Sequence, residues 1–432
     1  MCEEGNGIYY KISRTMSRDL PRALRARWPW LALGLALRAA FALKLGDRLY
    51  QIDESGFLAA ARQLAATGVL GVDGRAGAAP LVPAAFFGFF LRFFGPRLLW
   101  PRLGQALVGV LTALALGEMT RRLTRSELAG RLALAIACVY PYFIYYGGML
   151  LSETLAIALL VPGLWWLCEA LSRREGGAPW AAAGGLALAL SALARTEAAF
   201  IVAVIWAVAA LACAAGRWSW KAWAAGVALW ALPLLGMCLR NQARLGAFTL
   251  DTHGGISMLQ GTEFFELNNV DTGVAMAEIE KQPFYAEAQK LPDAARDGVY
   301  FAESLRWMRA HPGKTAYYAL WKLGKFWRPV PRLDKTYTEN GVSHPSAGAP
   351  RWALWLMSAA WEPWLIVLGF WGLWLLRARM DELYPLFLFI AGTVGIHVIT
   401  VSQPRYRLPV MPLLILGSAL ALARLSRRND TG

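Results

Sequence analysis

Two adjacent carboxylates, Asp53 and Glu54, stand in the stretch YQIDESGFLAAARQL (50–64), directly after an apolar run. A carboxylate there can take a proton from a hydroxyl, orient a substrate, bind a cation or cap a helix; a solvated loop can also carry two acids with no chemical task. Further ionisable and polar groups stand where other apolar blocks end. Glu153 lies in YYGGMLLSETLA, Arg195 and Glu197 in SALARTEAAF, and Arg240 and Asn241 in LRNQARLGAF. His253 lies in DTHGGISMLQG, and Arg405 and Tyr406 in SQPRYRLPVMP. A charge placed in hydrocarbon costs about 2.5–3.5 kcal/mol on insertion scales, so each invites a functional reading. Singly, each has a structural one: Glu153 can pair with Arg195, and Arg240 or Arg405 can snorkel to headgroups. As a set, they fit a site that binds an anion near the bilayer surface.

The elements that hold these groups are apolar helices. Of 432 residues, 57% are hydrophobic and 20 are tryptophan. A hydrocarbon core of about 30 Å takes roughly 20 apolar residues as helix. Blocks of this kind occur at 28–46, 98–120, 128–146, 149–170, 180–194, 197–214, 222–239, 353–376, 382–400 and 406–424, which predicts a helical protein of about ten spans. The formal charge of +15 is concentrated in the N-terminal tail (Lys11 to Arg27) and in RRLTR (121–125), SRREGG (172–177), GRWSWK (216–221), RARM (377–380) and RLSRR (424–428). With ten spans all these clusters fall on one side, as basic cytoplasmic loops should. The charge is therefore topological and not a nucleic-acid surface, and both termini are expected in the cytoplasm. The first span reads as an uncleaved anchor, since no cleavable signal pattern precedes it. Cysteine spacing suggests neither zinc nor a disulfide framework.

Asp53, Glu54, Glu153, Arg195, Glu197, Arg240, Asn241, His253, Arg405 and Tyr406 then all face the non-cytoplasmic side. Arg38, mid-span, and Glu118, near the inner face, fit no such site and read as structural pairs or headgroup contacts. The organisation expected is an N-terminal transmembrane module (1–240) with a first outer loop (47–97), an outer insert (241–350) and C-terminal spans (351–432). Within the first loop, LVPAAFFGFFLRFF (81–94) is short, aromatic and flanked by prolines, and suits an interfacial or re-entrant helix. The insert carries 12 acidic and 12 basic residues and is neutral. Its aromatics (Trp307, Tyr317, Tyr318, Trp321, Phe326 and Trp327) fit either helices lying on the membrane or a small packed cap.

Taken in order, IDESGFLAAARQLAATG, PLVPAAFFGFFLRFFGP, YPYFIYYGGMLLSE, LALALSALARTEA, LRNQARLGAF, HPGKTAYYALWKLGKFWRP and RYRLPVMPLL resemble the GT-C superfamily, most nearly its protein O-mannosyltransferase and aminoarabinose transferase type. The resemblance covers most of the chain and weakens over 270–300 and 330–350. It implies inverting transfer of a sugar from a polyprenyl-phosphate donor to a protein, lipid or glycan acceptor, on the periplasmic face of the inner membrane. The family's acidic first-loop motif maps onto Asp53 and Glu54, and its Arg-Tyr near the last span onto Arg405 and Tyr406. Such transfer needs a base, for which Asp53 is the candidate. It also needs cations for the leaving phosphate, for which Arg240 and Arg405 suit by their planar forks. Glu54 can orient the acceptor, bind a cation or cap the helix that follows. Oxygen-rich groups at Glu54 and Glu153, with His253, leave room for a divalent ion whose geometry the sequence does not determine. A lipid-linked glycan ligase or polymerase would also use outer-face arginines and a large loop, without needing a carboxylate base in loop one. A transporter should show inverted repeats or broken mid-membrane helices, and neither is evident. A non-catalytic assembly factor would leave the clustered charges unexplained.

Overall fold

The computed structural model describes residues 27–429 apart from 73–74, 77–78, 174, 271 and 330–350. Most of the basic N-terminal tail and the end of the insert therefore lie outside the described residues. The chain enters with α1 (Arg27–Leu45). The first loop follows as α2 (Ile52–Thr67), an antiparallel pair β1 (Gly71–Val72) and β2 (Arg75–Ala76), and α3 (Leu81–Phe94). Then come α4 (Leu99–Thr124), α5 (Glu127–Val139), α6 (Pro141–Gly148), α7 (Glu153–Leu171), α8 (Ala178–Ala194), α9 (Glu197–Ala214) and α10 (Trp220–Leu245). The insert is α11 (Gly254–Gln260), α12 (Phe265–Val270), α13 (Thr272–Glu280), α14 (Pro283–Ala288), α15 (Asp293–Ala310) and α16 (Pro312–Phe326). The chain closes with α17 (Arg351–Leu375), α18 (Met380–Ile399) and α19 (Met411–Asn429). This is an all-α, multi-pass membrane protein.

Among the described residues, seven helices are long and apolar enough to cross a bilayer, or eight if α5 and α6 count as one. The expected span 128–146 is thus a helix pair bent by 47°. The bend has a local cause. Pro141 lacks an N–H, so Ala137 O loses its helical donor. Arg38, buried in the middle of α1, donates instead to Ala137 O (2.9 Å) and Cys138 O (2.6 Å). Its charge serves a broken helix, as its structural reading anticipates. Glu118 likewise is a structural anchor, bonded to Arg121 and Arg122 and 3.4 Å from Arg27. The expected span 180–194 is α8, 17 residues long. The span expected from 406 begins later, at Met411, after a 3-10 turn over Pro404–Arg407.

Packing in the bundle relies on close backbone approach: a side chain at Gly185 of α8 would collide with the Gly226 backbone of α10. Small residues allow such contacts where lipid supplies no hydrophobic drive between helices. The main core runs through α4, α5, α7, α8, α9, α18 and α19. A second core, with Leu58, Ala61, Phe87, Leu98, Leu150 and Leu155, seats the first loop on the bundle. On the other side of α3, Phe89, Phe93 and Phe94 are exposed, the apolar face expected of an interfacial helix. The insert has its own core of Leu259, Phe264, Ala275, Ile279, Ala288 and Tyr300, a packed cap. Its last helix, α16, also leaves Tyr317 and Leu320 exposed.

Candidate functional site

The two adjacent acids part company at the start of α2. Glu54 is completely buried. Its Oε2 accepts the backbone N–H groups of Tyr50 (2.6 Å) and Gln51 (2.8 Å), and its Oε1 accepts Leu150 N–H (2.8 Å) and faces Arg102 at 3.3 Å. This is a capping box that closes the first turn of the helix. With both oxygens occupied, Glu54 has no capacity left for acceptor or cation. Of the roles its sequence position left open, capping fits the geometry. Arg102, also fully buried, donates to Gly46 O and Arg48 O as well, and so fixes the loop leading into the acids. Asp47 anchors the other end, accepting Leu98 N–H at 2.6 Å at the start of α4. Neither Asp47 nor Arg102 stood out in the sequence, although a charge just inside a predicted span was a usable signal.

Asp53, one residue earlier, projects outward with a side chain 54% exposed. It forms an ion pair with Arg405 Nη1 at 2.6 Å. From there the charges alternate: Arg405 Nε donates to Glu153 Oε1, the same oxygen lies 2.9 Å from Arg195 Nη1, and Arg195 Nε donates to Glu197 Oε1 at 2.6 Å. Five residues from four separate parts of the sequence are brought together as one line of carboxylates and guanidiniums. Four elements supply them: α2, the start of α7, the α8–α9 turn and the 3-10 turn at Pro404–Arg407. Tyr406 lies under Arg195 (5.8 Å, guanidinium to ring centroid) and stacks on His397 at 4.6 Å.

The electrostatics of the line are those of partly buried charges held by their opposites. Burial alone would lower the proton affinity of Arg405, but the carboxylates of Glu153 and Asp53 outweigh it and raise the group well above the usual arginine range. Arg195 is raised for the same reason, burial being opposed by Glu197 and Glu153. Both guanidiniums keep their charge at any working pH. Among the described residues, Nη2 of Arg405 and Nη2 of Arg195 donate to no group in this chain, so each fork has a free prong. Glu153 is 1% exposed and its Oε2 is unpartnered, beside a cavity of about 20 Å³ that has room for one water.

A larger cavity of about 630 Å³ adjoins this line, lined by Arg195, Glu197, Tyr406, Asp251, His253 and Asp297 among others. That volume suits a small-molecule headgroup. On its wall His253 Nδ1 pairs with Asp251 Oδ1 at 2.9 Å, and Thr196 Oγ1 donates to Asp251 Oδ2 at 2.8 Å. The hydrogen bond to Asp251 raises the proton affinity of the His253 imidazole.

Two expected members stand apart. Arg240 donates to Leu70 O and to Asn241 Oδ1, and Asn241 Nδ2 donates to Thr249 O (2.7 Å). This pair ties the first loop and the 246–250 turn to α10. Arg195 is the arginine that shares Glu153 Oε1 with Arg405. Of the groups named for a divalent ion, Glu54 has both oxygens occupied and Glu153 Oε1 faces two arginines, while His253 engages Asp251 through Nδ1 alone. Among the described residues no group of three or more His, Cys, Asp or Glu gathers as a metal needs.

No protein-family model and no curated protein sequence matches the chain. Solved structures do. The oligosaccharyltransferase of Archaeoglobus fulgidus in its apo form aligns with a TM-score of 0.52 at 14% identity, covering 93% of this chain and 52% of that one. The chain therefore shares the fold of this oligosaccharyltransferase. The same archaeal enzyme, AglB, in complex with an inhibitory peptide and a dolichol-phosphate, aligns at 0.51 with 14% identity and the same coverage. The chain thus spans about half the length of those two proteins. ArnT from Cupriavidus metallidurans bound to undecaprenyl phosphate aligns at 0.47 with 14% identity, over 93% of this chain and 61% of that one.

Proposed function

We propose that the protein is a membrane glycosyltransferase that moves a sugar from a polyprenyl-phosphate donor to an acceptor hydroxyl, with inversion, on the periplasmic face of the inner membrane. The observation that carries this reading is the contact between Asp53 and Arg405: an exposed carboxylate and a guanidinium with a free prong, in a line of charges whose other end, Arg195 and Glu197, lines a cavity of headgroup size. In support, the similarly folded AglB structure contains a dolichol-phosphate. Outside the cytoplasm there is no pool of nucleotide sugars, so an activated sugar must arrive on a lipid.

The chemistry follows from what each group can do. The donor phosphate takes the free Nη2 of Arg405 and competes for the Nη1 that Asp53 holds, which releases the Asp53 carboxylate. Asp53 then accepts the proton of the acceptor hydroxyl as its oxygen bonds to the anomeric carbon. The bond from that carbon to the phosphate oxygen breaks on the opposite side, and the leaving phosphate carries its charge to Arg405. General-base assistance of this kind contributes about 10²–10⁴-fold. Glu153 and Arg195 keep Arg405 in place, Tyr406 packs under Arg195, and Glu197 neutralises Arg195 in turn. The acceptor is a protein, a lipid or a glycan. The test is mass spectrometry of glycolipids and glycoproteins from a deletion strain complemented with the parent or with Asp53→Asn. A glycan lost on deletion, restored by the parent and not by Asp53→Asn, is the expected result; identical profiles in all three would remove the proposal.

A further inference from the structure

We propose that Lys322 is a positioning residue, fixing the segment that carries Arg405 and so setting where that guanidinium meets the donor phosphate. The proposal rests on the phosphate role given to Arg405 above. Lys322 lies on α16 with 3% exposure, yet among the described residues no carboxylate pairs with it. Its ammonium instead donates to three backbone carbonyls: Gly261 O (2.8 Å), Ile399 O (2.8 Å) and Thr400 O (3.0 Å). Ile399 and Thr400 end α18, where carbonyls lack intrahelical donors and the helix dipole favours a cation. Gly261 ends α11, and any side chain on it would collide with the Thr400 backbone. One side chain therefore joins the ends of two helices to a third.

The residues after Thr400 make the connection matter. The stretch from Val401 to Val410 has only one short 3-10 turn of its own, so its geometry must be imposed from outside. α16 imposes it on both sides of Arg405. Upstream, Ser402 Oγ donates to Lys322 O at 2.9 Å. Downstream, Arg407 Nη1 donates to Phe326 O (2.7 Å) and Arg328 O (3.1 Å), while its Nη2 pairs with the buried Glu362, which also accepts from Tyr140. Arg405 hangs between two attachments to one helix, and Lys322 locks that helix to the bundle. Lys322 touches no member of the Asp53–Arg405–Glu153 line, so its effect passes through the backbone. Positional demands of this kind are steep: a misplacement of about 1 Å can cost about 100-fold.

The test uses full-length purified protein in detergent, with undecaprenyl phosphate as the probe. Lys322→Met keeps length and removes the three donors, Ser402→Ala removes only the loop-side bond, and Lys322→Arg returns donors to the site, with a neighbouring cavity of about 40 Å³ to receive the larger head. Two quantities are read: hydrogen–deuterium exchange in the peptide covering 400–408, and affinity for the probe. Lys322→Met is expected to speed exchange there and weaken binding by about 10-fold or more. Ser402→Ala moves both in the same direction by less, and Lys322→Arg lies closer to the parent. If Lys322→Met does not fold, Ser402→Ala carries the test. Unchanged exchange in 400–408, or faster exchange with full affinity, overturns the proposal. A parent that binds no undecaprenyl phosphate overturns the phosphate reading beneath it, and the exchange data separate that failure from failure of the clamp.

Discussion

Asp53 and Glu54 are chemically alike and adjacent, yet their amides should have opposite phenotypes. Glu54→Gln replaces a fully buried carboxylate that accepts three backbone N–H groups and faces Arg102. Whichever way the new amide turns, its NH₂ meets donors: Tyr50 and Gln51 on one side, Leu150 and Arg102 on the other. Arg102 also loses the carboxylate with which it pairs. Breaking a buried pair in this way costs about 3–5 kcal/mol. Asp53→Asn instead alters a side chain that is 54% exposed, and its ion pair with Arg405 is of the kind worth about 0–1 kcal/mol. Arg405 keeps Glu153. Stability should therefore change by less than about 1 kcal/mol. Turnover should fall by at least about 100-fold, or roughly 3 kcal/mol of barrier. The assay is purified parent, Asp53→Asn and Glu54→Gln in one detergent, with unfolding followed by tryptophan fluorescence and turnover by sugar release from a polyprenyl-phosphate donor. The assignment of the two acids is refuted if Glu54→Gln is as stable as the parent, or if Asp53→Asn is destabilised while turning over normally.

Arg405→Ala should raise the donor KM by about 10–100-fold, since charge-assisted hydrogen bonds worth about 1.5–3 kcal/mol each are lost. Arg405→Lys should recover only part of this, because a point charge cannot reproduce the fork; equal donor KM in parent and Arg405→Ala would contradict the phosphate role. Burial pushes Lys322 down to about 8 from 10.5, so between those pH values the unfolded chain binds a proton that the folded chain has released. Stability should thus rise with pH across pH 8–10.5 in the parent relative to Lys322→Met, and parallel curves for the two would rule out a depressed Lys322. Reporter fusions at 175 and at 300 should report opposite sides of the membrane, and the same side for both would overturn the topology read from the basic loops.

Much of the site was legible because charges at the ends of apolar blocks are conspicuous. Asp53, Glu153, Arg195, Glu197 and Arg405 could be grouped on one face before any contact was known, and they form one line. Their pairings were not legible, because these depend on which turn of which helix faces which neighbour. The difference between Asp53 and Glu54 is a single step around α2, about 100° of rotation, and hinges on the helix starting at Ile52. Arg240 was named for the phosphate because of its planar fork; its bond to Leu70 O was not legible, since that oxygen lies in a loop whose path no local pattern specifies. The 47° break between α5 and α6 was signalled by Pro141, but the continuous apolarity of 128–146 hid it. Glu362 and Arg407 escaped notice although one is a carboxylate within a predicted span. Each looks anomalous alone, and only the bundle shows that they neutralise each other.

The most direct measurement of the central claim is a single-phase assay of the purified protein in detergent with a polyprenyl-phosphate sugar and a mixed pool of acceptors, following release of free polyprenyl phosphate. A detergent solution has no two sides, so a transporter has no reason to cleave this bond. The expected result is acceptor-dependent release by the parent, with inverted configuration at the transferred anomeric carbon, and release at least about 100-fold slower for well-folded Asp53→Asn. Release at the parental rate by well-folded Asp53→Asn, or transfer with retention of configuration, would contradict the account.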